Sequence, residues 1–509
     1  MIHRSAPISQ ITQQPATSGS RAPFATFHDS RQPAPPSVGD TNPKRTLTRT
    51  FNRPYNIPMI RKTRLFTPGP TPLLPAAQFA MAAADIHHRT PEFRALYTRV
   101  LAQLKQFVGT ETGDVILLSS SGTGAMEATV SNLTSPGDRV LVLTAGKFGE
   151  RWSALAKAFG CPVDVVSAPY GQTYSLDDVK AALKLETRAV FMQATETSTG
   201  VRHCVPAVAK LLKDTGSEAL LIVDAITGLG TTHLDMDAWG VDVLIGGSQK
   251  AVMIPPGLSY LAVSPRAWDR MEATYNPRYY FDLRKERKNA RGGESAYTPA
   301  VALIAALGAA LDWIAAQASS PENPAGDLVA GRKKLVDNAE TIAAMTRAAV
   351  QALGMTLFAP SAPSAAATAV IPPPGVDSGL IVKELKSRFG AIITNGQGEM
   401  KGQIFRIAHL GFFDYMDTVA LIGALEQVVV RSVPQATHNG RPIQFGDGLI
   451  AAQKLFAAAT HPQAEKRSCI CGRPDGACSL QHTEAGAHGQ TLDTTKEQNP
   501  LTKHTTARV

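Results

Sequence analysis

Between residues 114 and 265 short β-rich runs alternate with helical stretches, and this rhythm constrains the fold more than any other feature of the chain. The runs are DVILLSS, RVLVLTAG, VDVVSA, RAVFMQATE, ALLIVDAIT, VDVLIGG and LSYLAVS, and between them lie GAMEATVSNL, FGERWSALAKAFG, SLDDVKAALKL and VPAVAKLLKDTG. Several runs are apolar almost throughout, as expected of strands covered by helices on both faces of a sheet. The alternation predicts an α/β fold with a mostly parallel sheet.

The rhythm changes after VALIAALGAALDWIAA, residues 301–316. The loop IPPPGVD, the helical stretch SGLIVKELKSRFG, the short strands AIITNG and GQIFRIAHLG and a helix near DYMDTVALIGALEQVVV predict a smaller α+β domain. The expected organisation is therefore an extension over 1–58, a large α/β domain over 59–315, a small domain over 316–460 and a polar tail over 461–509. Residues 1–58 are rich in Ser, Thr, Pro, Gln and Arg without apolar periodicity, the signature of disorder. They read either as a transit-like presequence or as an extension upstream of a start at Met59; the second reading is preferred because ordered-looking sequence begins there.

Composition narrows the function classes. A hydrophobic content of 44% with 18% charged residues suits a soluble globular chain. The net charge of +9 is spread along the sequence without a basic, aromatic-studded patch, which argues against nucleic acid. The 301–316 stretch is shorter than the roughly 20 residues that cross a bilayer, and it contains Asp312. Five cysteines, with Cys161 and Cys204 isolated, make no disulfide framework and suit a reducing compartment. In the tail, Cys469, Cys471, Cys478 and His482 depart from the usual Cys-x-x-Cys zinc spacing and are read as incidental; no metal site is expected.

Ligands of open α/β sheets sit beyond the carboxyl ends of the strands, so the residues that follow each run are the candidates. In SSSGTGAMEA, 119–128, a glycine-rich strand-to-helix turn suits a phosphate, or is simply a capped turn. In ATETSTGV, 194–201, Glu196, Thr197, Ser198 and Thr199 follow a strand, where hydroxyls offer groups to a ligand or caps to the next helix. In LLIVDAITGLG, 220–230, Asp224 follows four apolar residues, where a carboxylate needs a cation or a turn to satisfy it. In VDVLIGGSQK, Lys250 stands 26 positions later, room for one crossover and strand, so the two can meet at one sheet edge. A lysine so placed is either solvated or chemical.

Taken jointly, a phosphate turn, an aspartate suited to a pyridinium and a lysine suited to a Schiff base are the parts of a pyridoxal 5′-phosphate (PLP) site. At FTPGPTPL, SSGTGAMEA, TETSTGV, VDAITGLG and GSQKAVMIPPG the sequence resembles the class V aminotransferases of the fold type I PLP enzymes, over about Met59 to residue 460. GSQK followed by PPG is similar to the alanine-glyoxylate, serine-glyoxylate and serine-pyruvate group. HHRTPEF, 87–93, resembles a bacterial branch, part of which carries a soluble-hydrogenase-subunit label; no metal-ligand cysteine pattern in the core supports that label.

The resemblance implies a homodimeric enzyme without membrane or nucleic-acid partners. It also implies that Lys250 bonds the cofactor aldehyde and moves the proton at the substrate Cα, while Asp224 keeps the pyridine nitrogen protonated. Thr123, Gly124 and Gln249 correspond to phosphate contacts, Thr197 to a hydroxyl near the ring oxygen, Ala125 and Ile226 to cofactor contacts, and Phe148 to the ring-stacking aromatic, or it is a core residue that begins a helix. Thr298 corresponds to a residue reaching the phosphate of the neighbouring subunit. Arg406 corresponds to the carboxylate anchor, and Gly69 to a backbone lining of the substrate site. VDAITGLG departs from relatives that carry two small residues after the aspartate, which bears on amino-acid specificity. The expected reaction moves an amino group from serine or alanine to glyoxylate or pyruvate. The alternatives are a PLP lyase of desulfurase or kynureninase type and a non-catalytic PLP-fold subunit; 300–460 contains no cysteine of the kind desulfurases need.

Overall fold

The computed structural model describes residues 60–460, so the expectations for 1–58 and for the tail, with its cysteines and His482, lie outside the described residues. All seven predicted runs form strands of one sheet. They are β1 (Asp114–Leu118), β2 (Arg139–Thr144), β3 (Val163–Ser167), β4 (Thr187–Gln193), β5 (Leu220–Asp224), β6 (Val243–Gly247) and β7 (Ser259–Val263). Their spatial order is β1-β7-β6-β5-β4-β2-β3. Parallel pairing runs from β6 through β5, β4 and β2 to β3, and β7 is antiparallel to both its neighbours. The antiparallel strand follows from a short return after β6, too short for a helical crossover.

Apolar side chains cover both faces of the sheet. Val190, Met192, Leu221 and Val223 point into one core, and Phe191, Ile222, Val243 and Ile245 into another. This two-sided burial is why the strands read as continuous apolar runs. The helix Pro91–Val108 shows how sequence sets an element on that core. Thr90 caps its start and accepts from Phe93 N at 3.4 Å, proline occupies the first turn, and Gly109 ends it in the left-handed region at φ +78°. Its buried Phe93, Tyr97, Val100, Leu104 and Phe107 recur every three or four residues, and each contributes roughly 1.5–3 kcal/mol on burial. The 301–316 stretch is helical and packs against it; Asp312 faces outward and pairs with Arg99 at 2.8 Å.

A second sheet of four strands contains Phe405–Ala408 between Ala367–Ile371 and Thr394–Asn395. The 25-residue helix Leu328–Ala352, absent from the sequence reading, borders it and shares a core with Phe405, Ile407, Leu421, Leu425 and Val428. Its buried face holds Gly331, Ala339, Ala343 and Ala349, which give little hydropathy contrast. SGLIVKELKSRFG is not one α-helix: it passes from Ser378–Glu384 into a wider π-type turn, Leu385–Phe389, and ends at Gly390, φ +68°. A side chain at Gly390 would stand 2.4 Å from the Lys62 carbonyl, because Arg64–Leu65 pairs there with Ala391–Ile392. That pairing fixes the chain leading into TPGP.

Candidate active site

At the end of β6 the chain makes a closed loop held by Ser248, whose hydroxyl donates to Pro255 O at 2.7 Å and accepts from Leu258 N at 3.1 Å. The loop carries Lys250, whose backbone carbonyl accepts from Thr71 Oγ1 at 3.0 Å. The residue is only 9% exposed, and Nζ donates to Pro68 O at 2.5 Å. Burial, with the Arg406 charge adding to it and Asp224 opposing it, pulls the amine down to about 8.

Asp224 ends β5 and is buried. Its Oδ1 accepts from Ile226 N at 2.9 Å. Burial pushes its carboxyl up to about 6; the Ile226 bond, Lys250 and Arg151 oppose the rise, and Glu196 adds to it. Asp224 and Lys250 therefore lie within electrostatic reach, as the crossover spacing predicted, with the amine bonded to Pro68 and the carboxylate to a turn.

Arg406 reaches the same place from the second sheet. Its Nη1 donates to Thr197 O and Nη2 to Asn395 O, both at 3.0 Å, while Nε is buried without a partner among the described residues. Burial lowers its guanidinium to about 10, against the pull of Glu196. Two carbonyls thus aim the fork and leave donors for a further acceptor.

Two side chains of the TETSTG turn cap a helix, and it is the earlier helix Lys147–Ala158 instead of the one that follows the turn. Glu196 is fully buried, and its carboxylate accepts from Phe148 N at 3.1 Å, Gly149 N at 3.0 Å, Ser198 N at 3.2 Å and Ser198 Oγ at 2.5 Å. Ser198 Oγ in turn accepts from Lys147 N at 3.1 Å. The two side chains cap the start of helix Lys147–Ala158 from across the site and so set the position of Phe148. Burial raises the Glu196 carboxyl, and these donors oppose the rise. Gly146 is required there, since a Cβ would stand 2.5 Å from Ser198 Oγ. Thr197 Oγ1 donates to Thr227 Oγ1 at 2.8 Å. In the sequence Glu196 stands out no more than the three hydroxyl residues that follow it.

Helix Gly122–Leu133 starts at Ser121, whose hydroxyl makes no capping bond. Gly122 lies under Ile226: a Cβ on it would come within 2.4 Å of Ile226 Cδ1, and Ile226 Cγ2 is as near as 3.1 Å to the Cβ position of Gly247. Gly124 has Ser120 and Phe281 beside it, and Ala125 is buried. Thr123 Oγ1 accepts from Arg151 Nη1 at 3.1 Å, and Arg151 lies 5.0 Å over the Phe148 ring. Arg151, three residues after Phe148 on one helix face, was legible from spacing but not singled out. Gln249 Oε1 is buried without a partner among the described residues. Gly69 touches Lys250 directly. Thr298 alone is exposed, close in sequence to Ala300, whose N–H donates to Ser119 Oγ at 3.1 Å.

These parts suit a flat aromatic phosphate. The absent Cβ atoms of Gly69, Gly122 and Gly124 let Lys250, Ile226 and Ser120 close in on the backbone there, a buried carboxylate and a buried amine lie within electrostatic reach, and Gln249 and Arg406 retain buried polar atoms without partners among the described residues. Among the described residues no helix is long and apolar enough to cross a membrane, and no group of three or more His, Cys, Asp or Glu is placed to hold a metal.

Comparison with known proteins agrees with this architecture. The family described as aminotransferase class V matches residues 76–397. A protein named soluble hydrogenase, small subunit, from Synechococcus sp. (strain PCC 6716) is 37% identical over 402 residues, 78% of this chain and 99% of its own. L-aspartate–glyoxylate aminotransferase of Paracoccus denitrificans (strain Pd 1222) is 33% identical over 415 residues, 80% of this chain and 100% of its own. The crystal structure of an alanine–glyoxylate aminotransferase from Nostoc sp. superposes with TM-score 0.66 at 30% identity, covering 73% of this chain and 97% of that one. The chain belongs to the class V aminotransferases, has the fold type I architecture and uses PLP as its cofactor.

Proposed function

We propose that the protein moves an amino group from serine or alanine to a small 2-oxo acid, glyoxylate or pyruvate, by a ping-pong route. The reading is carried by one observation: the amine of Lys250 is buried at the end of a sheet strand, donating to Pro68 O, within electrostatic reach of both the carboxylate of Asp224 and the guanidinium of Arg406. The glyoxylate in the names of the Paracoccus and Nostoc relatives supports the acceptor.

When bound, PLP supplies an electron sink for the pair left at the substrate Cα. Lys250 Nζ is its attachment point and, as a free amine, takes and returns the proton at Cα. Asp224 holds a proton on the ring nitrogen. Phe148, fixed by Glu196, covers the ring face, while Thr197 and Ile226 line it. Thr123, Gly124, Ala125 and Gln249 serve the phosphate, and Thr298 serves that of a neighbouring subunit, which makes the active unit a homodimer. Arg406 grips the substrate carboxylate beside the Gly69 backbone. The reducing cytoplasm is the compartment that suits the chain's cysteine usage.

The test follows the visible band of the PLP-loaded protein while L-serine, L-alanine and L-aspartate are added singly, then glyoxylate, pyruvate and 2-oxoglutarate. Bleaching by serine or alanine and recovery with glyoxylate or pyruvate is expected. Protein that stays colourless after reconstitution sinks the enzyme reading, and bleaching by aspartate alone moves the donor.

A further inference from the structure

Gln193, the last residue of β4, is a buried polar side chain that the site described above does not use. It is fully buried, and neither Nε2 nor Oε1 has a hydrogen-bond partner among the described residues. Leaving both ends of an amide unpaired in a core is costly, so such a group calls for a partner.

The register of the sheet supplies one. β4 and β5 are parallel neighbours, and Gln193 lies directly opposite Asp224. Two residues earlier, Phe191 and Ile222 share one core cluster, so strand alternation puts Gln193 and Asp224 on that same face. Asp224 has a hydrogen bond at Oδ1, from Ile226 N. Trp152, stacked on Phe191 at 4.7 Å in this layer, has a buried Nε1 that also lacks a partner among the described residues.

We infer that Gln193 is a positioning residue for Asp224: its Nε2 donates to the Asp224 carboxylate when the cofactor is seated, and its Oε1 accepts from Trp152 Nε1. The inference rests on the PLP reading of Asp224. The charged groups that act on this carboxylate are Glu196 from the turn after β4, Lys250 from the loop after β6 and Arg151 from the helix over β4. Burial and Glu196 favour the protonated form, which holds a ring nitrogen poorly, and a neutral donor on the carboxylate restores its charge. Gln193 thereby acts on the cofactor through Asp224 without touching it.

The experiment uses Gln193→Met, which keeps the volume and removes the donor, in the full chain reconstituted with PLP. Cofactor affinity should fall about tenfold or more. The acid limb of affinity against pH should move to higher pH, because Asp224 then protonates more readily. The melting midpoint of the cofactor-free protein should stay level or rise, since an apolar group replaces an unpaired amide. Unchanged affinity, or a fall in affinity with the acid limb unmoved, overturns the inference, as does a lower cofactor-free midpoint, which would make the amide a plain structural group. A wild type that binds no PLP would instead remove the cofactor reading itself.

Discussion

Gly69 lies so close to Lys250 that a Cβ on the glycine would stand 2.5 Å from Nζ and 2.8 Å from Cε. Its φ of +149° lies in a region that side-chain-bearing residues rarely adopt. Alanine would be strained at this φ and would push the end of the lysine side chain aside. Gly69→Ala should displace the lysine and cut covalent cofactor attachment about tenfold or more, read as the visible band formed per subunit at saturating PLP. A normal band in that variant would show that the amine has room to move aside.

The depressed proton affinity of Lys250 sets a pH dependence. With the folded amine near 8, its neutral, nucleophilic fraction is about a tenth at pH 7 and about nine-tenths at pH 9. The rate of PLP attachment to cofactor-free protein should therefore rise roughly tenfold between those values and then level off. An ordinary lysine would keep gaining up to its usual 10.5. Arg406→Leu removes a like charge and should move the midpoint up, whereas Asp224→Asn removes an opposite charge and should move it down. Stopped-flow absorbance against pH measures all three.

Arg406 spends one Nη hydrogen on Thr197 O and one on Asn395 O, and offers the rest. Arg406→Leu should raise KM for several amino donors together by about a hundredfold, the range for losing a charge-assisted pair, while PLP affinity stays within about threefold. Arg406→Lys keeps the charge without the fork and should recover only part of the loss. Steady-state kinetics with two donors of different side chain checks this; an unchanged KM for both would remove Arg406 from the substrate.

The α/β pattern and the candidate residues were legible because some of the β-runs lead into residues of unusual chemistry: Asp224 after LLIV, Lys250 after VLIGGSQ and Thr123 after VILLSSSG. What sequence could not show is the pairing across the fold. Lys250 meets Pro68 across 182 positions, and Arg406 meets Thr197 across 209. No local period encodes such contacts. Glu196 looked like one more polar residue in a turn because its partners, Phe148 N and Gly149 N, are backbone groups of a distant segment. Gln193 was hidden for a similar reason: its place beside Asp224 depends on the register of two strands. The Leu328–Ala352 helix escaped because alanine and glycine on its buried face blur the period.

Asp224 trades stability for chemistry, and the trade is measurable. Its folded carboxyl sits near 6, raised from 3.8 chiefly by burial, so the folded state holds this proton more tightly than the unfolded chain. The associated stability is present at low pH and is lost as pH climbs from 3.8 through 6, after which it is level. Between pH 5 and pH 7.5 the cofactor-free wild type should lose about 1 kcal/mol from this group. Asp224→Asn has no such titration, so its stability relative to wild type should improve by that amount over the same interval in denaturant melts of cofactor-free protein. The same substitution should lower kcat by more than tenfold once PLP is bound, because an amide cannot hold a proton on the ring nitrogen. A variant whose advantage over wild type stays flat with pH would show that Asp224 is ionised throughout, with a counter-charge closer than Lys250.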